Sequence, residues 1–279
     1  MKMEKKYTYE HPHPAVTTDC VVFGFDGQEL NVLLVERGVE PYKGMWAFPG
    51  GFLRMDETAE ECAYRELREE TGLELRSIRQ LGAFSGVNRD PRERVVTIAF
   101  YAMAQCHEVR GGDDALKARW WNVREVPPLA FDHDFIFRQA MERIRHDIHF
   151  EPIGFDLLGE QFTIAELQRL YESILGKSFD RRNFYKKMMQ SGIVDEVEET
   201  KETAPVFYGS GKELKRMSIG ALFGESIIAK ASEEYSPFSE DTGAESAVER
   251  HQGRRGKLFI FNKENYDRMK EDGRFKLEF

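Results

Sequence analysis

Cysteine is scarce in this chain: Cys20, Cys62 and Cys106 are the three among 279 residues. An odd number at wide spacing excludes a disulfide framework and offers no zinc-ligand pattern. Long apolar runs are missing too. No stretch approaches the roughly 18 uninterrupted apolar residues of a membrane-spanning helix, so no membrane segment is expected. The first ten residues, MKMEKKYTYE, carry positive charge with no apolar stretch behind them, so no secretory signal is expected and the chain reads as cytoplasmic. Basic excess is also absent. Forty Lys and Arg stand against 49 Asp and Glu, a net charge of −9. That balance argues against nucleic-acid binding over the whole surface but leaves local basic patches open. What is there, 41% hydrophobic and 32% charged residues, suits a globular protein. The length exceeds the needs of one small core, and the change of character near residue 150 places two domains at about 1–150 and 151–279.

In the first half, β-rich runs alternate with helical patterns. Thr18–Phe25 and Leu30–Val35 flank Asp26-Gly27, which reads as a hairpin turn. Further strands fit Val95–Ala102 and Ala118–Trp121, and Asp134–His146 has a helical apolar face through Ile136, Ala140 and Ile144. Strands with helices between and after them suggest an α+β fold built as an α/β/α sandwich.

The informative segment is Gly51–Leu73, GFLRMDETAEECAYRELREETGL. Thr58 and Glu61 have capping-box spacing and start a helix, which Gly72 stops. On it Glu66, Glu69 and Glu70 fall at i, i+3 and i+4, so three carboxylates share one face. Such a cluster is costly unless solvated or met by cations, and hard oxygen ligands suit Mg²⁺ or Mn²⁺. Gly50 and Gly51 just before it allow the backbone close to a ligand. A solvated acidic helix is the bland alternative.

The whole register decides against it. Gly51, Glu57, Arg65-Glu66-Leu67, Glu69-Glu70 and Gly72-Leu73 match the Nudix box at each defining position, and the first domain resembles the Nudix family. The resemblance implies an α/β/α Nudix sandwich and hydrolysis of a nucleoside diphosphate linked to another moiety. It implies catalytic roles for Glu57, Arg65, Glu69 and Glu70, with Glu66, Glu69 and Glu70 as ligands of Mg²⁺ (or Mn²⁺). Glu57 and Arg65 then look like the pair that braces loop and helix. The acceptor of the water's proton is a box glutamate or one of Glu93, Glu108, Asp113 and Asp114. In the turn Arg89-Asp90-Pro91-Arg92, either arginine is a candidate for bidentate phosphate contact, beside the alternative of an internal salt bridge. Gly50, Gly51, Arg89 and Arg92 are thus the expected substrate-binding set. Trp46, Phe48 and Trp121 are stacking candidates but fit a core equally well, and His133 reads as structural.

Beyond residue 150, Thr163–Leu175 opens with a second capping box, Thr163 and Glu166, and Arg181–Gln190 follows with Asp180 as N-cap. Two helices and a later strand, Lys257–Asn262, suggest a winged helix-turn-helix. Arg181, Arg182, Lys186 and Lys187 project from the second helix with Asn183 able to read a base edge, and Arg254 and Arg255 sit where a wing would cover phosphates. Residues 196–250, acidic and then Ser/Glu/Gly-rich, read as an inserted and partly disordered loop. The segments WAFPGGF, RDPR, RWWNVREVPPLAFDH, FTIAELQRLYESILG and DRRNFYKKM resemble the Nudix-related transcriptional regulators (NrtR-like). That resemblance implies a homodimer binding double-stranded DNA and responding to an ADP-ribose-like or phosphorylated ligand. The chain departs from it in its intact box and in the 196–250 insertion. Two functions follow: a Mg²⁺-dependent hydrolase of ADP-ribose or a related nucleoside diphosphate sugar, or a ligand-sensing regulator of NAD or sugar metabolism with little turnover.

Overall fold

The Asp26-Gly27 turn does join the first two apolar runs: Asp26 Oδ1 accepts from the amides of Gln28 and Glu29 at 2.9 and 2.8 Å, fixing the reversal. In the computed structural model, residues 10–106, 109, 111–112, 115–197, 257–273 and 275–277 are described. The first half runs β1 (Ala15–Phe25), β2 (Leu30–Arg37), β3 (Trp46–Ala47), β4 (Gly50–Phe52), α1 (Ala59–Thr71), β5 (Arg79–Phe84), β6 (Val95–Gln105), β7 (Ala115–Asn122) and α2 (His133–Asp147). The sheet order is β3-β2-β1-β6-β5, with β4 added to β1 and β7 to β2. β1 and β6 pair in parallel along their whole length, from Ala15↔Val95 to Phe25↔Gln105.

Both faces of β1 are covered, so its second half, Cys20–Phe25, reads as a continuous apolar run instead of alternating with polar residues. Alternation still sorts its side chains between two layers. Cys20 and Val22 join Leu33 and Phe100 under α1, against Ala63 and Leu67. Val21 and Phe23 join Ala99 and Tyr101 on the other face with Ile136, Ala140 and Ile144 of α2. This is the expected α/β/α sandwich.

A short 3-10 helix, Ile153–Leu157, leads into β8 (Phe162–Thr163), α3 (Ile164–Leu175), α4 (Arg181–Ser191), β9 (Val194–Glu196), β10 (Leu258–Phe261) and α5 (Lys263–Glu271). The three strands form a sheet in the order β8-β10-β9, completing a winged helix. The caps of α3 and α4 are the ones the sequence predicts. Thr163 Oγ1 accepts from Glu166 N at 3.2 Å while Glu166 Oε2 accepts from Thr163 N at 2.8 Å, and Asp180 Oδ1 accepts from Asn183 N at 2.9 Å. Leu167, Leu170, Ile174, Phe184, Met188 and Phe259 fill the core between them and belong to the same buried cluster as the α2 side of the sandwich. Arg145 of α2 donates to the Ile174 carbonyl at 3.0 Å, and Arg169 of α3 to the Gly27 carbonyl at 2.9 Å. The expected insertion at 196–250, save residues 196–197, lies outside the described residues. Among the described residues no helix is long and apolar enough to cross a membrane.

Candidate functional site

The capping box at Thr58 forms as read: Thr58 Oγ1 accepts from Glu61 N at 3.2 Å, and Glu61 Oε2 accepts from Thr58 N at 2.7 Å. It fixes where α1 begins, and thereby which side chains face β4. Arg65 is the hub. Its Nε and Nη2 donate to Glu57 at 2.9 and 2.6 Å, bridging helix and preceding loop with a two-point fork. Nη1 donates to Glu66 at 2.6 Å and Glu69 at 3.0 Å, and Nη2 reaches the Phe52 carbonyl at 3.3 Å. The fork from Arg65 holds the Glu57 carboxyl down at about 2. Glu57 Oε1 also accepts the Arg54 amide at 2.9 Å, so the loop before α1 is anchored twice.

The carboxylates are packed tightly against the glycines. A methyl group on Gly51 would run into the carboxylate of Glu66, and one on Gly50 into the Thr18 carbonyl. Glu70 Oε2 accepts the Gly50 amide at 2.9 Å. Burial, reinforced by the charge of Glu66, pushes the Glu70 carboxyl up to about 8 against that single hydrogen bond. Burial also raises Glu66, which Arg65 opposes. Among the described residues, no three His, Cys, Asp or Glu side chains stand close enough to hold a metal ion, since Arg65 draws Glu66 and Glu69 while the Gly50 amide draws Glu70. The donor chemistry fits a hard divalent cation: three carboxylates on one helix face, one of them desolvated and met by only one amide. Turning Glu66 and Glu69 off Arg65 is what such an ion would require.

Behind this wall lies a buried ionic network. Arg89, with 4% of its side chain exposed, donates from Nε and Nη2 to Asp132 at 3.1 and 2.7 Å and lies 3.5 Å from Asp19. His133 Nδ1 accepts the Phe48 amide at 3.0 Å, so its Nε2 carries the proton that faces Asp19 at 3.4 Å. Burial alone would raise Asp19, but the facing His133 and Arg89 outweigh it and keep its carboxyl low. Together these bonds tie β1, the Phe48-Pro49-Gly50 turn and the start of α2. His133 is structural, as read from the sequence, and Phe48 is core, stacked on it at 5.1 Å. Trp46 and Trp121 meet edge to face at 5.2 Å.

These elements enclose a cleft of about 310 Å³, lined by Gly50, Gly51, Arg65, Glu66, Glu69, Glu70, Arg89 and Arg92, among others. The structure therefore gathers the box residues and the RDPR turn at one place. It also spends both arginines of that turn internally, Arg89 as above and Arg92 in a fork to Asp90 at 3.0 and 2.7 Å. Sequence reasoning missed Asp19, Asp132 and Arg37, which line or back the same cleft from distant positions. Of the possible proton acceptors, Glu93 is exposed and does not line the cleft. Glu108, Asp113 and Asp114 lie outside the described residues; the Gly112 amide donates to the Glu70 carbonyl at 3.1 Å. A larger groove of about 780 Å³ lies elsewhere, between residues 73–79, the end of β6 and the connector to the winged helix, and holds none of the box glutamates.

In the winged helix, Phe184 and Met188 turn inward from α4. Arg181, Arg182, Asn183 and Lys186 are exposed and Lys187 is half-buried, so the expected basic face exists on this helix. Arg254 and Arg255 lie outside the described residues.

Comparison with known proteins agrees with both halves. Residues 13–143 match the NUDIX domain family, and residues 154–205 match the NrtR DNA-binding winged helix domain. The chain is 32% identical over 197 residues to the ADPR responsive transcriptional repressor NtrR of Acinetobacter baylyi, covering 69% of this chain and 79% of the relative. It is 39% identical to the ADP-ribose pyrophosphatase of Methanocaldococcus jannaschii over 49% of this chain and 78% of that enzyme. The structure of Shewanella oneidensis NrtR complexed with a 27mer DNA superposes with a TM-score of 0.54 at 29% identity, covering 67% of this chain and 90% of that one. With an intact box on α1 and a three-stranded winged helix behind it, this chain belongs to the Nudix family of NrtR type, a Nudix domain joined to a DNA-binding winged helix domain.

Proposed function

We propose that the chain is a Nudix pyrophosphohydrolase of ADP-ribose or a related nucleoside diphosphate sugar, divided near residue 150 from a winged helix that binds double-stranded DNA. The observation that carries the catalytic half is the braced box: Glu57 and Arg65 lock the loop to α1 and leave Glu66, Glu69 and Glu70 on one face. These three glutamates would hold Mg²⁺ or Mn²⁺. Held there, such an ion would supply charge neutralisation for a pyrophosphate and activation of a water. The chain's own residues do the rest. Arg65 fixes the approach of the loop before α1, Gly50 and Gly51 keep the floor open to a phosphate, and a box glutamate or one of Glu108, Asp113 and Asp114 takes the water's proton. The relatives named for ADP-ribose, one a repressor and one a pyrophosphatase, support the ligand class.

A product assay tests this directly. Purified protein with Mg²⁺ is expected to convert ADP-ribose into AMP and ribose 5-phosphate, with the rate falling roughly 100-fold or more in Glu69→Gln and Glu70→Gln. Equal rates in wild type and both variants would overturn the assignment. The second reading, a regulator with little turnover, is favoured by the exposed cations of α4 and by the repressor among the relatives. It is met if ADP-ribose raises the melting temperature unconsumed. The homodimeric protein is then expected to bind DNA with strong salt dependence, Arg181→Ala reducing the log–log salt slope by about 1. A slope unchanged by that substitution would remove α4 from the interface.

A further inference from the structure

The arginines of the cleft are not equivalent. Arg65 is shared by Glu57, Glu66 and Glu69; Arg89 is held by Asp132 and Asp19; Arg92 is forked onto Asp90; and Arg54 stands 3.9 Å from Glu69. Arg37, the last residue of β2, also lines the cleft, yet among the described residues it has no carboxylate partner. It is fastened by uncharged groups instead. Nε donates to the Pro41 carbonyl at 2.9 Å, and the guanidinium lies over the Phe131 ring at 4.8 Å. These bonds orient the fork without neutralising it.

Phe131, under the guanidinium, and Tyr42, packed on Phe131, are themselves held at a cost. Phe131 has φ +55° and Tyr42 φ +66°, left-handed conformations that bulky side chains rarely adopt. Their rings meet edge to face at 4.8 Å, each supporting the other beside Arg37. A half-buried, oriented cation without a direct ion pair, in a cleft that the glutamates also line, has an obvious complement. A guanidinium fork pairs bidentately with carboxylate or phosphate, and where the protein spends no carboxylate on it a phosphate oxygen pair fits.

We propose that Arg37 is an anion-binding residue of the cleft, taking a phosphate of the substrate beside the glutamates that line it. It rests on the reading of the cleft as a diphosphate site, and assigns to Arg37 the role that the sequence suggested for Arg89 and Arg92.

The test is calorimetric, on the full chain with Mg²⁺ and in the Glu70→Gln background, where turnover does not interfere. Inorganic pyrophosphate and ADP-ribose are titrated into Glu70→Gln, Arg37→Gln/Glu70→Gln and Arg37→Lys/Glu70→Gln. Affinity for both ligands is expected to fall about 10- to 100-fold on Arg37→Gln and to recover in part with Lys, which keeps the charge and loses the fork. Unchanged pyrophosphate affinity in the Gln variant, or no pyrophosphate binding by the parent, overturns the proposal. If Arg37→Gln fails to melt cooperatively, the Lys variant decides: weaker binding than the parent supports the fork and equal binding refutes it. Pyrophosphate binding that depends on Arg37, without any binding of ADP-ribose, would keep the anion site and discard the nucleotide reading.

Discussion

Two adjacent glycines meet different obstacles, and the difference separates fold from chemistry. The Cβ of an alanine at Gly50 would strike the Thr18 carbonyl, which is backbone in the middle of the sheet and cannot yield. At Gly51 the obstacle is the end of the Glu66 side chain, which can rotate. Gly50→Ala is therefore expected to cost about 1–3 kcal/mol as overpacking, visible as a lower melting temperature. Gly51→Ala should melt within a few degrees of wild type and lose turnover roughly 10-fold or more, because Glu66 no longer points where it must. A Gly51→Ala protein with native turnover would show that the placement of Glu66 does not matter. The same scale explains how far the internal pairing of the two arginines could be read from the sequence. Arg89 finds its carboxylate 43 positions away on Asp132, and no local pattern signals that pairing. Arg92 is neutralised by a neighbour two positions away, which the sequence did offer as the alternative.

Elements were legible where their signals are local. Both capping boxes, the Asp180 cap, the Asp26-Gly27 turn and the amphipathic faces of α2 and α3 rest on residues within one or two turns of each other, and each forms within a residue or two of its expected limits. The short strands β3, β4, β8 and β9, two or three residues each, carry no periodicity of their own. They exist because partners distant in sequence offer hydrogen bonds, as Thr18↔Gly51 does for β4. Arg65, Glu66, Glu69 and Glu70 were legible as one group for the opposite reason, since all of them lie on one helix with fixed spacing. The far end of α2 shows what such an element adds to stability. Asp147 is 5% exposed and accepts from Tyr101 Oη at 2.6 Å, Arg143 Nε at 2.8 Å and faces His146 Nδ1 at 3.0 Å. Burial alone would raise its carboxyl, but these hydrogen bonds prevail and hold it below the ordinary value. A carboxylate depressed in the folded state stabilises above its unfolded pKa, about 4, and that contribution is lost as pH falls through the folded value. Asp147→Asn is thus expected to be less stable than wild type in denaturant titrations at pH 7, with the gap closing below pH 4. A gap that persists undiminished at pH 2.5 would mean that packing, not charge, holds this end of α2.

For the whole molecule, the decisive feature is that one buried cluster runs through both the Nudix part and the winged helix. It runs from Val21, Phe23 and Ala99 in the Nudix sheet through Ile136 and Ile144 of α2 to Leu167, Leu170 and Ile174 of α3 and on to Phe259 of β10. Domains joined by a polar seam melt separately, whereas parts that share an apolar core cannot lose one half without exposing the other. Arg145 on the Ile174 carbonyl and Arg169 on the Gly27 carbonyl add polar ties across the same junction. Calorimetry is therefore expected to show a single transition for the Nudix and winged-helix parts, with matching calorimetric and van't Hoff enthalpies. Ile144, fully buried on α2, gives the sharper form of this expectation. Ile144→Ala should remove about 2–5 kcal/mol and move the whole transition down without splitting it. Two resolved transitions in wild type, or a variant in which only one portion of the heat shifts, would show that the halves are energetically separate. A shared core also has a functional consequence: any ligand that stabilises the cleft must stabilise the winged helix through the same cluster, by mass action on one folding equilibrium.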